Sequence, residues 1–358
     1  MFIKQLSLYK FRNINSAKIS PVPGINIFYG ANGAGKTNIL EAVYFCAVSR
    51  SQRTSADGEL IMFGEPEAHI QTLIDNDGRT DKIDAHLKRF GKKGVAVNGV
   101  PVKKLNELYG TLYAVIFSHE DLKLLKASPG ERRRFIDMEL CQLSGVYYYN
   151  LSRYYKVLKE RNNLLKSIHQ KTNDETLSVW DAQLVEYGAK IIAKREEYVQ
   201  TLNEAAGSVH KLLTGETLRT VYEPNVPAAY FESKLQKARS RDIQQGNTSV
   251  GPHRDDLTFL LNDTLDAKIF GSQGQQRTVA LSLKLSEIQI IKQEKLTTPV
   301  LLLDDVLSEL DSARQTAVLD NIFGTQIILT CTGVEHMLDE YAGKGKVFMV
   351  ENGAVRTG

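Results

Sequence analysis

Gly30-Ala31-Asn32-Gly33-Ala34-Gly35-Lys36-Thr37 decides the fold, because it matches the phosphate-loop pattern G-x-x-x-x-G-K-[ST] at every fixed position. Ahead of it, Ile25-Asn26-Ile27-Phe28-Tyr29 is short, apolar and β-prone. Behind it, Asn38 to Val48 carries Ile39, Leu40, Val43 and Ala47 at helical spacing. The loop therefore lies between a strand and a helix, where a phosphate loop has to lie. Glycines at 30, 33 and 35 let backbone N–H groups curl around an anion. The helix beginning near Lys36 adds the positive end of its dipole. Lys36 can reach the β- and γ-phosphates, and the Thr37 hydroxyl can bind Mg²⁺. Gly30, Ala31, Asn32, Gly33, Ala34, Gly35, Lys36, Thr37 and Asn38 are the expected contacts to a nucleoside triphosphate.

Outward from this loop, 358 residues are enough for more than one domain or lobe, and 42% hydrophobic residues support a large core. The net charge of +3 neither demands nor excludes a nucleic acid. Cys46, Cys141 and Cys331 are far apart, form no zinc-type spacing, and favour a reducing, cytoplasmic setting. Met1-Phe2-Ile3-Lys4-Gln5-Leu6 alternates like a strand and has no signal-peptide core. No apolar run approaches the ~18 residues of a membrane span, so a soluble protein with no membrane partner is expected.

Phe2 to Leu8, His69 to Ile74 and Lys82 to Leu87 read as strands, with turns at Asn76-Asp77-Gly78 and Asn98-Gly99. They form an antiparallel subdomain. Leu112 to Phe117, Val300 to Asp304 and Gln326 to Thr330 read as buried strands. From Leu122 to Gln245 the chain reads as helical, with Ser128-Pro129 starting Glu131 to Leu143. Two long stretches, Val146 to Ile168 and Leu177 to Leu213, make a helical hairpin about the polar turn Lys171 to Glu175. This region carries about five more basic than acidic residues, either a solvated helix face or a nucleic acid surface. After Gly246 come a hairpin, Leu257 to Leu261 with Leu265 to Ile269, and a helix from Gln273 to Lys295. Then follow a helix from Ala313 to Phe323 and a closing strand, Lys346 to Val350. The expectation is an α/β fold. Its phosphate-loop head, a mixed sheet with an antiparallel β subdomain, is formed by 1–121 with 246–358, and 122–245 is an inserted helical lobe.

A phosphate loop needs an acidic partner. Val300-Leu301-Leu302-Leu303-Asp304-Asp305 offers one, Asp304 for Mg²⁺ and Asp305 to polarise the attacking water. Its long separation from Lys36 points to the ATP-binding-cassette group and its SMC-like branch. Gly271-Ser272-Gln273-Gly274-Gln275-Gln276-Arg277 resembles the L-S-G-G-Q signature, followed by a helix, with the Ser272 hydroxyl and backbone N–H groups facing an anion. An ordinary helix cap in a glycine loop is the alternative reading. Ser308-Glu309-Leu310-Asp311 falls where the D-loop lies.

Together these residues resemble the RecF family. Leu302 to Asp311, running on to Leu319, is similar to one of its motifs. Ser128-Pro129-Gly130-Glu131-Arg132-Arg133-Arg134-Phe135-Ile136-Asp137 is similar to another. Gly251-Pro252-His253-Arg254-Asp255-Asp256-Leu257 and Phe11-Arg12-Asn13 are further blocks. His119 stands where the family usually has proline, and no glutamine marks a Q-loop, leaving Glu120 as the candidate there. Leu329-Thr330-Cys331-Thr332 lacks the histidine of transporter ATPases, and the base is an aspartate. Slow hydrolysis, a switch rather than a motor, is expected.

The resemblance implies an ATP-dependent homodimer that binds DNA and, with RecO and RecR, promotes RecA loading at gapped DNA during recombinational repair. It implies that Lys36 and Thr37 hold phosphates and Mg²⁺, that Asp304 supports the metal, and that Asp305 is the base. Ser272 and Gln275 complete the site from a second subunit, and Arg12 approaches the nucleotide from the strand side. Arg132, Arg133, Arg134, Lys156, Lys159 and Arg161 are the DNA-phosphate candidates, with Arg161 alternatively tying the lobe to the head. His253 and Arg254 are expected to position the signature loop or to meet DNA. A transporter ATPase subunit, a metabolic phosphate-loop kinase and a DNA-bound scaffold using ATP structurally are the competing readings.

Overall fold

Short β-branched and aromatic runs become three sheets, and longer runs with helical spacing become six α-helices among the described residues. The computed structural model describes residues 1–119, 121, 124–167, 174–306, 324–332 and 345–357. By contacts the chain forms two compact units, Met1–Leu122 with Lys284–Gly358 and, separately, Lys123–Leu283. The expected boundaries were 121/122 and 245/246; the second unit runs on to Leu283.

The first unit contains the sheet that carries the phosphate loop. In spatial order its strands are β15 (Ala354–Thr357), β14 (Gly345–Glu351), β3 (Ile25–Tyr29), β13 (Ile327–Cys331), β12 (Val300–Asp304) and β8 (Ala114–Ser118). All neighbours pair in parallel except β14 with β15. Val300 to Leu303 are buried, as a strand covered on both faces requires. The loop leaves the C-terminal end of β3, an interior strand, and runs into α1 (Lys36–Val48). That helix buries Lys36 and every residue from Ile39 to Val48, so it is apolar nearly all round rather than amphipathic.

The same unit holds an antiparallel sheet. Its strands are β2 (Ile14–Ile19), β1 (Phe2–Phe11), β4 (Glu67–Asn76), β5 (Arg79–Lys88), β6 (Gly94–Val97) and β7 (Val100–Pro101). Ala68, Ile70, Thr72 and Ile74 of β4 are buried in alternation. At Asn98-Gly99 both residues take positive φ, 53° and 81°, as the two-residue hairpin demands. The Gln326 amide, just ahead of β13, accepts from Ile3 N–H at 2.7 Å and donates to Ile3 O at 3.0 Å, so a side chain stands in for a ladder partner.

The second unit contains α2 (Pro129–Leu143), α3 (Gly145–Ser167), α4 (Asp174–Thr214), α5 (Phe231–Gln245) and a small antiparallel sheet of β11 (Leu265–Asp266), β10 (Asp256–Leu261) and β9 (Leu218–Glu223). Ser128 and Pro129 occupy N-cap and N1 of α2, as the sequence indicated. Strand β9 corrects the all-helical reading of 122–245. It is a short strand whose partner β10 lies beyond residue 246, and this pairing keeps the stretch after 246 with the second unit. The strand expected over Leu265 to Ile269 stops at Asp266, because Phe270 N–H turns back to Asp266 O at 2.9 Å. From there α6 (Gln273–Lys295) begins. Glu120, the turn Lys171 to Asn173, Ser308 to Asp311 and the helix over Ala313 to Phe323 lie outside the described residues.

Candidate functional site

The phosphate loop is hemmed in by the Val350 backbone at one end and by the Asn13 side chain at the other. Gly30 N-terminally and Gly35 C-terminally leave no room for a side chain. A Cβ on Gly30 would come within 2.1 Å of Val350 O, and one on Gly35, at φ 116°, within 2.7 Å of Asn13 Oδ1. Gly353 N–H donates to Ala34 O at 2.8 Å from the β14–β15 turn. Asn13, in the β1–β2 turn, donates from Nδ2 to Gly33 O at 3.2 Å and Ala34 O at 3.1 Å. Its Oδ1 accepts from Asn38 Nδ2 at 2.8 Å. Inside the loop, buried Lys36 turns its ammonium onto Gly30 O at 2.8 Å and Ala31 O at 3.0 Å. That geometry keeps a cation over the loop, where phosphate oxygens would replace the two carbonyls.

Asn13, from the Phe11-Arg12-Asn13 block, buttresses the phosphate loop through these bonds. Arg12, expected to approach the nucleotide from the strand side, has its guanidinium on Glu41 of α1. Its Nε and Nη2 grip both carboxylate oxygens of fully buried Glu41 at 2.9 and 2.7 Å, and Nη1 donates to Glu59 O at 2.9 Å. Glu41 also accepts from Ser51 and Arg53, and Arg53 reaches Asn38 Oδ1 at 2.9 Å. A single acid in the middle of an apolar helix was the signal for this buried pair, since it must be matched by a cation.

The acidic element meets the loop as the sequence anticipated. Thr37 Oγ1 donates to Asp304 Oδ1 at 2.8 Å, across 267 residues of chain. Thr330, the register partner of Asp304 on β13, donates to the same Oδ1 at 2.9 Å. Thr330 Oγ1 also accepts the backbone N–H of Asp305 at 3.0 Å. Asp305 has φ 56°, a left-handed backbone rare outside glycine. A threonine hydroxyl and a carboxylate meeting at one point are hard oxygen donors of the kind Mg²⁺ takes beside phosphate oxygens, so the residues fit that ion. Cys331, next along β13, has its thiol pKa raised by burial and by the nearby Asp305 charge, against the opposing Lys36 charge.

In the second unit, Ser272 and Gln275 form a reciprocal capping box at the start of α6. Gln275 N–H donates to Ser272 Oγ at 3.2 Å, and Gln275 Oε1 accepts Ser272 N–H at 3.0 Å. Gln275 Nε2 is tied to Glu216 Oε1 at 3.0 Å. Ser272, Gln273 and Gly274 are exposed. This stretch is a capped helix start with an open face.

Two of the six DNA candidates are corrected by burial. Arg132 is 1% exposed and forks onto Asp256 at 2.6 and 2.8 Å. Arg161 is 0% exposed and binds Asp181 at 2.6 Å, Asp242 at 2.9 Å and Thr248 Oγ1 at 2.8 Å, all within the second unit. Neither guanidinium is available to a phosphate. Arg133 is half-buried and donates to Asp255 O, whereas Arg134, Lys156 and Lys159 are exposed. His253 is structural: its Nε2–H donates to Thr248 O at 3.0 Å, and Nδ1 accepts from Tyr154 Oη at 2.6 Å. Burial pushes its pKa down to about 4 and keeps it neutral.

The family model described as RecF/RecN/SMC N terminal domain matches residues 2–356. The chain is 50% identical to "DNA replication and repair protein RecF" of Agathobacter rectalis over 99% of each chain. It is 48% identical to the protein of that name in Lachnoclostridium phytofermentans over the full length of both. Among solved structures, the recombination mediator RecF of the RecFOR pathway with ATP superposes with a TM-score of 0.93 at 34% identity, covering 99% of this chain and 97% of that one. An Smc head bound to the C-terminal winged-helix domain of ScpA shares the fold at TM-score 0.59 and 17% identity, covering 100% and 97%.

Proposed function

The chain belongs to the RecF/RecN/SMC N-terminal domain family, on its RecF branch, and from that premise we propose that it is an ATP-dependent DNA clamp of recombinational repair. The observation that carries this reading is the Thr37–Asp304 contact, which unites a complete phosphate loop with the acidic end of a central strand. Gly30 to Asn38 bind ATP, with Lys36 on its phosphates. Thr37 and Asp304 hold Mg²⁺, which when bound neutralises charge on the phosphate oxygens. Asp305 orients and deprotonates the attacking water. The exposed face at Ser272, with Gln275 behind it, caps the γ-phosphate bound by a second copy of the chain, so ATP closes a homodimer and slow, DNA-stimulated hydrolysis reopens it. DNA is held through its phosphates by Arg134, Lys156 and Lys159, with Arg133 at the edge, and the closed dimer acts with RecO and RecR to promote RecA loading at gaps.

Light scattering on wild type and Ser272→Arg, with and without Mg-ATP, tests the clamp. Wild type should double in mass with ATP. Ser272→Arg should stay monomeric while binding ATP normally. A wild type that remains monomeric at high concentration with ATP and duplex DNA would sink the reading.

A further inference from the structure

We propose that Thr330 is a positioning residue for hydrolysis: its hydroxyl couples the metal-side carboxylate of Asp304 to the backbone of Asp305. The inference rests on the reading of Asp305 as the base. Strand β13 lies between β3, which feeds the phosphate loop, and β12, which ends in the two aspartates. Thr330 is thus the residue of the intervening strand that reaches Asp304 in register. Its Oγ1 takes part in two short bonds of opposite sense, with Leu303 O a more distant acceptor at 3.5 Å. It donates its proton to Asp304 Oδ1 at 2.9 Å and accepts the Asp305 N–H at 3.0 Å. Asp304 Oδ1 in turn accepts from Thr37 Oγ1 at 2.8 Å. A continuous chain therefore runs from the loop threonine through Asp304 and Thr330 to the backbone of the base.

The geometry explains why a hydroxyl is needed there. Asp305 turns the chain at φ 56°, a left-handed conformation that aspartate tolerates better than most residues with a Cβ but that its surroundings still have to favour. Capture of its N–H by Thr330 contributes to fixing it. The β-branched side chain has few rotamers, and Thr330 is 4% exposed, so the hydroxyl is held where both bonds form. Valine has the same shape without the donor or the acceptor. It would leave the Asp305 N–H and one Asp304 lone pair unmatched and release the turn that aims the base. The nucleotide would still find Lys36 and the loop amides. The loss therefore falls on turnover and not on binding.

The test compares Thr330→Val, Thr330→Ser and Thr330→Ala with wild type and Asp305→Asn in the full-length protein. It measures kcat and KM for Mg-ATP, ATP affinity by calorimetry, and thermal unfolding. Thr330→Val should lower kcat about 10- to 100-fold with KM and ATP affinity within about threefold, and Thr330→Ser should recover kcat to within about threefold of wild type. Thr330→Ala, which removes the hydroxyl without adding bulk, should match valine and serves if valine does not fold. Wild-type kcat in the valine and alanine variants, with Asp305→Asn inactive, would overturn the role of Thr330 alone. A serine variant as slow as valine would overturn it as well, leaving only packing. Wild-type turnover by Asp305→Asn would overturn the base assignment and this inference with it.

Discussion

At Asn13 a single amide holds two carbonyls of the phosphate loop and accepts from Asn38. Asn13→Ala removes bonds worth about 1–2 kcal/mol together, so Mg-ATP should bind about tenfold more weakly, read by calorimetry, with the fold intact. An unchanged affinity would show that the loop holds itself. His253 carries a pH signature. Its pKa falls from the ordinary 6.5 to about 4 because burial favours the neutral ring. A depressed histidine stabilises the fold fully above 6.5, and that contribution is lost as pH falls from 6.5 towards 4, about 3 kcal/mol in all. Asp256 is held low by Arg132 against its own burial, so its contribution disappears only below the ordinary carboxylate range, and the two windows separate. Chemical unfolding at stepped pH should show the slope between 6.5 and 4 in wild type and its loss in His253→Gln. Residues whose role is local were legible in the sequence. Gly30 to Thr37 is a contiguous pattern, and Asp304 ends an apolar run. The role of Asn13 and the partners of Glu41 were not, because only the folded chain brings the β1–β2 turn to the loop and Arg12 and Ser51 to α1.

Arginine at a buried crossing does work that the sequence cannot separate from DNA binding. Arg161 on α3 reaches Asp181 on α4 and Asp242 on α5, so one guanidinium joins three helices. Arg195 on α4 likewise holds Asp137 of α2 and Asp255 ahead of β10, and Tyr222 of β9 donates to the same Asp255. The basic excess of this region was legible as a count, but burial is a tertiary property, and it moves two of the six candidates from the surface into the frame. Arg161→Ala takes the guanidinium from buried Asp242 and leaves Asp181 with Arg239 alone, and should cost about 3–5 kcal/mol in denaturant unfolding. Lys156 and Lys159 sit three apart on an exposed face of α3, and their double alanine variant should unfold as wild type does. The same double variant should weaken DNA binding and flatten its dependence on log salt by about two counterions. An unaltered salt slope would place the DNA surface elsewhere. Strand β9 was missed for a related reason: six residues of mixed character declare themselves only by pairing with β10.

The whole molecule places its candidate site residues in two units of one chain. The loop, Asp304 and Asp305 belong to the first unit, and the capped start of α6 to the second. If the second element serves a neighbouring copy, ATP has two thermodynamic partners and hydrolysis is the only step that removes one of them. The lifetime of the dimer is then set by turnover. Asp305→Asn keeps the shape of the base without its charge and cannot take a proton, and loss of a general base slows hydrolysis by about 10²–10⁴-fold. ATP affinity should stay near wild type, because Lys36 and the loop amides are untouched. The variant should therefore remain a Mg-ATP dimer through a sedimentation run in which wild type decays to monomer as its ATP is consumed, and chelating Mg²⁺ should release it. DNA should shorten the dimer's life in wild type and leave Asp305→Asn unaffected, since DNA acts by speeding a step the variant lacks. If both proteins dissociate at the same rate, opening is not coupled to hydrolysis. ATP would then be a structural ligand here, and the clamp would have to be opened by a partner instead.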